Sequence, residues 1–452
     1  MSAGDLRTAS FGVEGPPPQA SRPEISSFVS VVVEVENHRP TLQSNTEAIF
    51  NLLNNALGVS LLAVSWVCTQ VGLLPGLSLY AISGFLNRYT LHLIFRSCQL
   101  ARVKVSYPDV ADACFGRLGF GAVASIMTTS MCITCTAYVV TVGAVLLDGF
   151  DWEPEESPKA IALGMAFLAP FTLIRSLKRI AVLSTVATFA AIFQLMAIAI
   201  PCYWDYFNGI TYVDHMGAEP GSILWWDLTP SKVIKVAPVV LLAYSTQASS
   251  PVILASLQDN SWENVRRITG LVFSMLYVIS ALFGHSVYLR FRDLTTDSAL
   301  TTIGQRPVDQ VARWCGFVLV FISYIFMVFP LRNVLMKVLL GKDELEREAS
   351  FKVFAAVTVS INIFLLMTAQ GAQKLGGLSL CLRFGGGFCS TLMAMVFPPL
   401  LFVQVRAERG WDARVVCGSR GGLAMLLAIG ASVWILSNQA LAVDVLKKTG
   451  VL

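Results

Sequence analysis

"NNALGVSLLAVSW", Asn54 to Trp66, places two asparagines, a glycine and two serines inside the first apolar run of the chain. Glycine and serine in a membrane helix serve either close helix packing or an interruption of the helix. The second half of the sequence weighs between these. Asn45–Gly72 reads "NTEAIFNLLNNALGVSLLAVSWVCTQVG", and Lys232–Asp259 reads "KVIKVAPVVLLAYSTQASSPVILASLQD". Each carries a break of small and polar residues at mid-depth: Gly58-Val59-Ser60 in one and Tyr244-Ser245-Thr246-Gln247 in the other, the second flanked by Pro238 and Pro251. Proline removes a backbone donor and clashes with the preceding turn. Interrupted apolar segments at corresponding places in two halves are the sequence mark of a transporter site.

The rest of the chain supplies the setting. Hydrophobic residues make up 55% of 452 and charged residues 14%, with a mean hydropathy of +0.64; a soluble chain carries about 25% charge. A bilayer core needs ~20 apolar residues per helix, and eleven runs qualify, near 46–70, 74–97, 119–147, 159–174, 180–204, 233–256, 267–289, 312–338, 351–370, 376–403 and 422–443. They are too long for barrel strands, so an all-α membrane protein is expected. Residues 1–45, with "EGPPPQASRP" and scattered charge, read as a disordered tail and not as a signal peptide. "FVSVVVEV" within it is too short to span.

Basic residues orient the spans. Arg96, Arg102, Lys104 and Arg117 share one set of connections with Arg175, Lys178, Arg179, Arg266, Arg267, Arg332, Lys337, Lys342, Arg347, Lys352, Arg406, Arg409, Arg414 and Arg420. The other set is acidic, as in "DGFDWEPEESPK", apart from Arg290, Arg292, Arg306 and Arg313. The balance puts the N-terminus in the cytosol. Trp204, Trp225 and Trp226 suit an interfacial belt at the acidic face, and Lys235 an interfacial anchor.

Several chemistries find no support. The net charge of +4 is too small to argue for nucleic acid, and the four histidines (His38, His92, His215, His285) are scattered, which argues against a metal cluster. Cys132 and Cys135 form a C-x-x-C inside "TTSMCITCTAY", where small residues serve a packing face. No nucleotide-binding G-x-x-x-x-G-K-[ST] occurs. A membrane enzyme would need clustered His, Asp, Glu or Cys at depth, and none is found.

The breaks suggest their own ligand. An opened helix exposes N–H groups and a partial positive end on one side, carbonyls and a negative end on the other. A zwitterion offers a partner for each. Neither break contains Asp, Glu, Lys or Arg, and an unpaired ion in hydrocarbon is expensive; a neutral amino acid fits best. Among neighbouring polar residues, Asn51 and Asn55 share a helix face and either line the pore or bond between helices. Arg88 reads as a snorkelling or paired residue, and His285 as structural or as a sensor of acidic pH.

In this pattern the chain resembles the amino acid/auxin permease family, which includes vesicular, vacuolar, proton-coupled and sodium-coupled amino acid transporters. The resemblance rests on Asn54, Gly58 and Ser60-Leu61-Leu62 followed by "CTQVG"; on Pro238 with Ala243-Tyr244; on "FTLIRSLKRIAVLSTVATF"; and on "RFGGGFCSTLMAMVFPPLLFV". It implies a five-plus-five inverted repeat like that of bacterial sodium symporters, with repeats over 46–205 and 232–404 and an extra span at 422–443. It implies binding by Gly58, Val59, Ser60, Leu61, Ala243, Tyr244, Ser245 and Thr246, with Asn55 alongside and Tyr244 as a lid. Ser323 and Tyr324 stand where sodium-coupled relatives place oxygen ligands; Gln247 replaces a histidine sometimes tied to pH dependence; Ser65 replaces the usual proline. The function implied is secondary active transport of neutral amino acids, driven by a proton or sodium gradient, in the plasma membrane or a vacuolar or endolysosomal membrane, with no cofactor, resident metal or obligate protein partner. The alternative is an amino acid-sensing receptor that binds without transport.

Overall fold

The computed structural model describes residues 43–102, 107–174, 177–210, 220–303, 306–340, 351–409 and 420–449. Residues 1–42 of the expected tail, with its "FVSVVVEV", lie outside the described residues, whereas Gln43–Asn45 are ordered at the start of the first helix. Everything described is helical apart from short connections and one isolated bridge. Seven of the helices are long and apolar enough to cross a membrane.

The first expected span is in three pieces: α1 (Asn45–Ala56), α2 (Val59–Leu62) and α3 (Val64–Val71). After it come α4 (Leu73–Ala101), α5 (Tyr107–Gly149), α6 (Ser157–Leu168, closed by a tight turn of helix at Ala169–Leu173) and α7 (Leu177–Phe207). The sixth expected span is in two pieces, α8 (Pro230–Leu242) and α9 (Ser250–Ala255). The remainder comprises α10 (Trp262–Phe291), α11 (Ala299–Thr302), α12 (Pro307–Leu340), α13 (Phe351–Leu375), α14 (Gly377–Phe384), α15 (Phe397–Arg409) and α16 (Arg420–Lys448). Between α14 and α15, Gly385–Ser390 and Leu392–Val396 wind as π-helix, the wider coil often found at functional sites. The third span begins earlier than its hydropathy suggests, because Tyr107–Phe115 continue into α5 across a kink at Gly116.

Local chemistry fixes the ends of the broken segments. Ser44 caps α1 in a reciprocal box with Glu47. Ahead of it, Gln43 pairs as a strand residue with the connection after α9: its N–H donates to the Ser256 carbonyl (2.8 Å) and its carbonyl accepts from Gln258 N–H (3.1 Å). Asn45 and Asn264 exchange amide hydrogen bonds next to this bridge. At the opposite face, the turn between α3 and α4 passes through Gly72 at φ +88°, where a Cβ would lie 2.7 Å from the Trp226 nitrogen. Only glycine lets the extended segment before α8 come so close. Leu73 N–H then donates to the Leu224 carbonyl and Asp227 N–H to the Val71 carbonyl. Lys232 and Thr229 beside Asp227 hold its carboxyl at about 2. Lys235 stands 5.6 Å from the centre of the Trp66 ring and donates to Gln70, the contacts expected of an anchor.

The basic residues that break the orientation pattern have partners in the structure. Arg290 is buried in a bidentate pair with Asp309 (2.7 and 3.0 Å) and 3.3 Å from Asp205, which also receives Arg306 at 2.7 Å. Arg313 pairs with Asp148 at 2.7 Å and donates to the Ile303 carbonyl. Arg292 donates to the Gly221 carbonyl.

Candidate functional site

The helix of α1 stops at Leu57, whose backbone is extended (φ −76°, ψ 93°). One helical turn, α2, follows, and the chain steps again at Ala63 (φ −93°, ψ 0°) before α3. The break expected over Gly58, Val59 and Ser60 is therefore narrower: the helix opens at Leu57–Gly58, while Val59, Ser60 and Leu61 have rewound into a turn, with Leu61 N–H on the Gly58 carbonyl (3.0 Å). The physical reason lies opposite Gly58. A Cβ there would come within 2.7 Å of the Tyr138 hydroxyl oxygen. Tyr138 belongs to α5, so Gly58 and Tyr138 bring the first break and α5 to one place. Tyr138 escaped the sequence reading because it lies in an unbroken helix; the signal was a lone hydroxyl-bearing ring among the small residues of "TCTAYVV".

At the second break, Ala243–Ser249 leave the helix and α9 restarts at Ser250, with Pro251 in its first turn, where no N–H is needed. The Thr246 carbonyl accepts from Ser249 (3.3 Å) and Ser250 (3.0 Å) and so starts α9. Pro238, inside α8, cannot donate to the Ile234 carbonyl; Ser437 of α16 donates to it instead at 3.4 Å. The break is tied sideways to α4 by a buried chain of hydrogen bonds. Ser245 donates to Gln247 Oε1 (3.2 Å), and Gln247 Nε2 donates to Asn87 Oδ1 (2.8 Å) and Thr90 (3.3 Å). Asn87 donates to Ser83, and Ser83 donates to the Val240 carbonyl (2.9 Å), back on α8. Gln247 thus braces the break. The hydroxyls of Ser65, Thr246 and Ser250 are buried beside the two breaks without a hydrogen-bond partner among the described residues.

The other expected site residues lie elsewhere. Tyr244 is fully buried, with Tyr80 edge-on at 6.1 Å, Phe273 at 6.3 Å and Gly84 beneath its ring. These contacts wedge it between α4 and α10, which is not the placement of a lid. Tyr324 donates to Asn362 Oδ1 (2.6 Å), and Asn362 donates to Thr172, so this hydroxyl ties α12, α13 and the end of α6 together. His285 Nδ1 is 2.8 Å from the Tyr203 hydroxyl, between α10 and α7. Asn54 accepts from Thr188 of α7 (2.6 Å) and Asn51 donates to Gln43 (3.2 Å), both uses between or along segments. Asn55 is half-buried near the end of α1. Ala243 begins the second break. Ser323, the neighbour of Tyr324 on α12, is half-buried. No group of three or more His, Cys, Asp or Glu side chains able to hold a metal occurs among the described residues.

A family model described as "Transmembrane amino acid transporter protein" matches residues 42–441. Among curated proteins, the chain is 22% identical over 380 residues to "Putative sodium-coupled neutral amino acid transporter 11" of Danio rerio, covering 81% of this chain and 80% of that one. It is 20% identical to amino acid transporter AVT6B of Arabidopsis thaliana, covering 79% and 82%. Among solved structures, the manganese transporter of Eremococcus coleocola superposes with a TM-score of 0.50 at 13% identity, covering 94% of this chain and 99% of that one. At that identity the likeness concerns the fold alone.

Proposed function

The chain belongs to the transmembrane amino acid transporter family, and on that membership and the geometry above we propose that it carries neutral amino acids across a membrane by alternating access, driven by a proton or sodium gradient. The observation that carries the proposal is the pair of helix breaks, Leu57–Gly58 and Ala243–Ser249, with no charged side chain in either. The carbonyl ends of α1 and α8 suit the ammonium, and the N–H groups at the restart after Gly58 suit the carboxylate. Gly58, Val59, Ser60 and Leu61 act through their backbone; Ala243, Ser245 and Thr246 line the second break; Asn55 stands at the end of α1. Tyr138 closes the site from α5. Its hydroxyl faces Gly58 across the first break.

Eleven crossings arranged as two inverted repeats and one extra span follow from the same reading, with α1–α4 and α8–α10 moving against the rest. The membrane is the plasma membrane or a vacuolar or endolysosomal one, with the N-terminus cytosolic. The sensing-receptor reading has no observation in its favour.

The test is uptake into liposomes containing the purified protein. Neutral amino acids should accumulate only when a pH or sodium gradient is imposed, and the gradient that works names the ion. Absence of gradient-dependent accumulation for all twenty amino acids, with the protein folded and inserted, would overturn the proposal.

A further inference from the structure

A cavity of about 760 Å³ opens at the basic face between α4 and α10, lined by Arg88, Glu263, Arg266, Arg267, Gly270 and neighbouring residues. Three guanidinium groups against one carboxylate give it a net positive charge. Arg88 lies across Gly270: one of its terminal nitrogens donates to the Arg266 carbonyl at 3.0 Å, and a Cβ on Gly270 would come within 2.9 Å of that nitrogen. The glycine makes the recess in which the guanidinium rests. Arg266 and Arg267 are exposed.

The surface that continues from this cavity toward mid-membrane is apolar. On α4, Ile82 and Phe85 precede Arg88 at steps of three and are 55% and 69% exposed. On α10, Leu271 and Val278 follow Arg267 along one face and are 50% and 52% exposed. Residues at i, i+3, i+4 and i+7 share a helix face. Because α4 runs toward the basic face and α10 away from it, both stripes lead from the arginines into hydrocarbon. A charged, open recess on helices whose next turns expose apolar side chains offers two chemistries, and a free inorganic anion would use only one of them.

From this juxtaposition we propose that the Arg88–Arg266–Arg267 recess is a binding site for an anionic glycerophospholipid of the leaflet at the basic face. The phosphate and headgroup charge meet the guanidiniums, and an acyl chain lies along Ile82, Phe85, Leu271 and Val278. Basic pockets between membrane helices take anionic headgroups in this manner. The inference goes beyond the transport reading and does not depend on it, since binding is measured without turnover.

The experiment titrates purified full-length protein in detergent with dioctanoyl phosphatidylserine, dioctanoyl phosphatidylcholine or inorganic phosphate, and reads the thermal midpoint. Ligand that binds the folded state raises it. The anionic lipid should raise the midpoint at concentrations where the other two do not. Arg266→Gln with Arg267→Gln should weaken the apparent affinity by roughly thirtyfold, taking the usual contribution of each basic residue near a lipid surface. Lys447→Gln with Lys448→Gln, at the other end of the molecule, should leave it unchanged. Gly270→Val, which drives Arg88 from its recess, is the second variant and should also weaken binding. Equal response to both lipids, an equal response to phosphate alone, or affinity unchanged in both recess variants would overturn the proposal.

Discussion

A methyl group at position 58 would stand 2.7 Å from the Tyr138 hydroxyl oxygen but 3.7 Å from the ring carbon that bears it. The clash therefore belongs to the hydroxyl and not to the ring. Gly58→Ala should lower stability by about 1–3 kcal/mol, the usual cost of overpacking. Adding Tyr138→Phe should recover most of that loss while leaving uptake impaired, because the hydroxyl that faces the first break is gone. Thermal midpoints of the two single variants and the double variant measure the first part, and liposome uptake the second. This pair also marks how far the residues could be read without coordinates. A glycine in the middle of an apolar run is conspicuous in any sequence. The tyrosine that makes it necessary is eighty positions away in an ordinary helix, and nothing local announces the contact. Likewise Gln247 was legible as an unusual residue for its place, but its use depends on Asn87, which becomes its partner only when α4 packs against the break.

The broken segments themselves were largely visible in advance, because proline, glycine and clustered small polar residues are backbone signals. The π-helical stretch was not legible as such: its triple glycine marks a close approach, here to Pro238 of α8, but says nothing of a wider coil. At this scale the bracing of the second break can be tested. Asn87→Ala would strand the buried Gln247 amide and should cost about 1–3 kcal/mol. Gln247→Ala alone should cost a similar amount, and the double variant less than the sum of the two. Thermal or denaturant unfolding of the three proteins measures the coupling. The connection before α11 makes a pH prediction. Asp297 accepts from Ser379 N–H at the start of α14 (2.9 Å), and burial pushes its carboxyl above the usual range, against a smaller opposing pull from Lys448. A carboxyl whose folded value is raised binds its proton more tightly when folded. Its contribution to stability is fully present below the unfolded value near 3.8 and is lost as pH rises through the folded value. Relative to Asp297→Asn, the parent protein should therefore gain thermal stability as pH falls from 7 toward 4. A difference that stays constant across that range would show that Asp297 does not titrate there.

For the molecule as a whole, the ends of α7, α10 and α12 at the acidic face are joined by one buried cluster of charges. The side chains of Arg290 and Asp309 are each 2% exposed, and Asp205 is 6% exposed. Removing Arg290 leaves the buried Asp309 charged and unpaired, while Asp205 keeps Arg306, so Arg290→Gln should destabilise by about 3–5 kcal/mol. Arg290→Met combined with Asp205→Asn and Asp309→Leu, which removes the three buried charges together and leaves the half-exposed Arg306, should cost much less. Unfolding midpoints distinguish the two cases. The pairing itself could not be read beforehand: a sequence lists arginines without their partners.

Gly386 offers a last consequence. A single carbon added there would fall 1.9 Å from the Pro238 carbonyl oxygen, so the two backbones already touch. Surfaces in such intimate contact cannot glide past one another without first separating. If α8 rocks with α1–α4 against the rest of the molecule, it must part from the triple-glycine stretch in each cycle, and the closeness of Gly386 to Pro238 sets where that parting begins. A cysteine crosslink between these two backbones would then arrest the transport cycle.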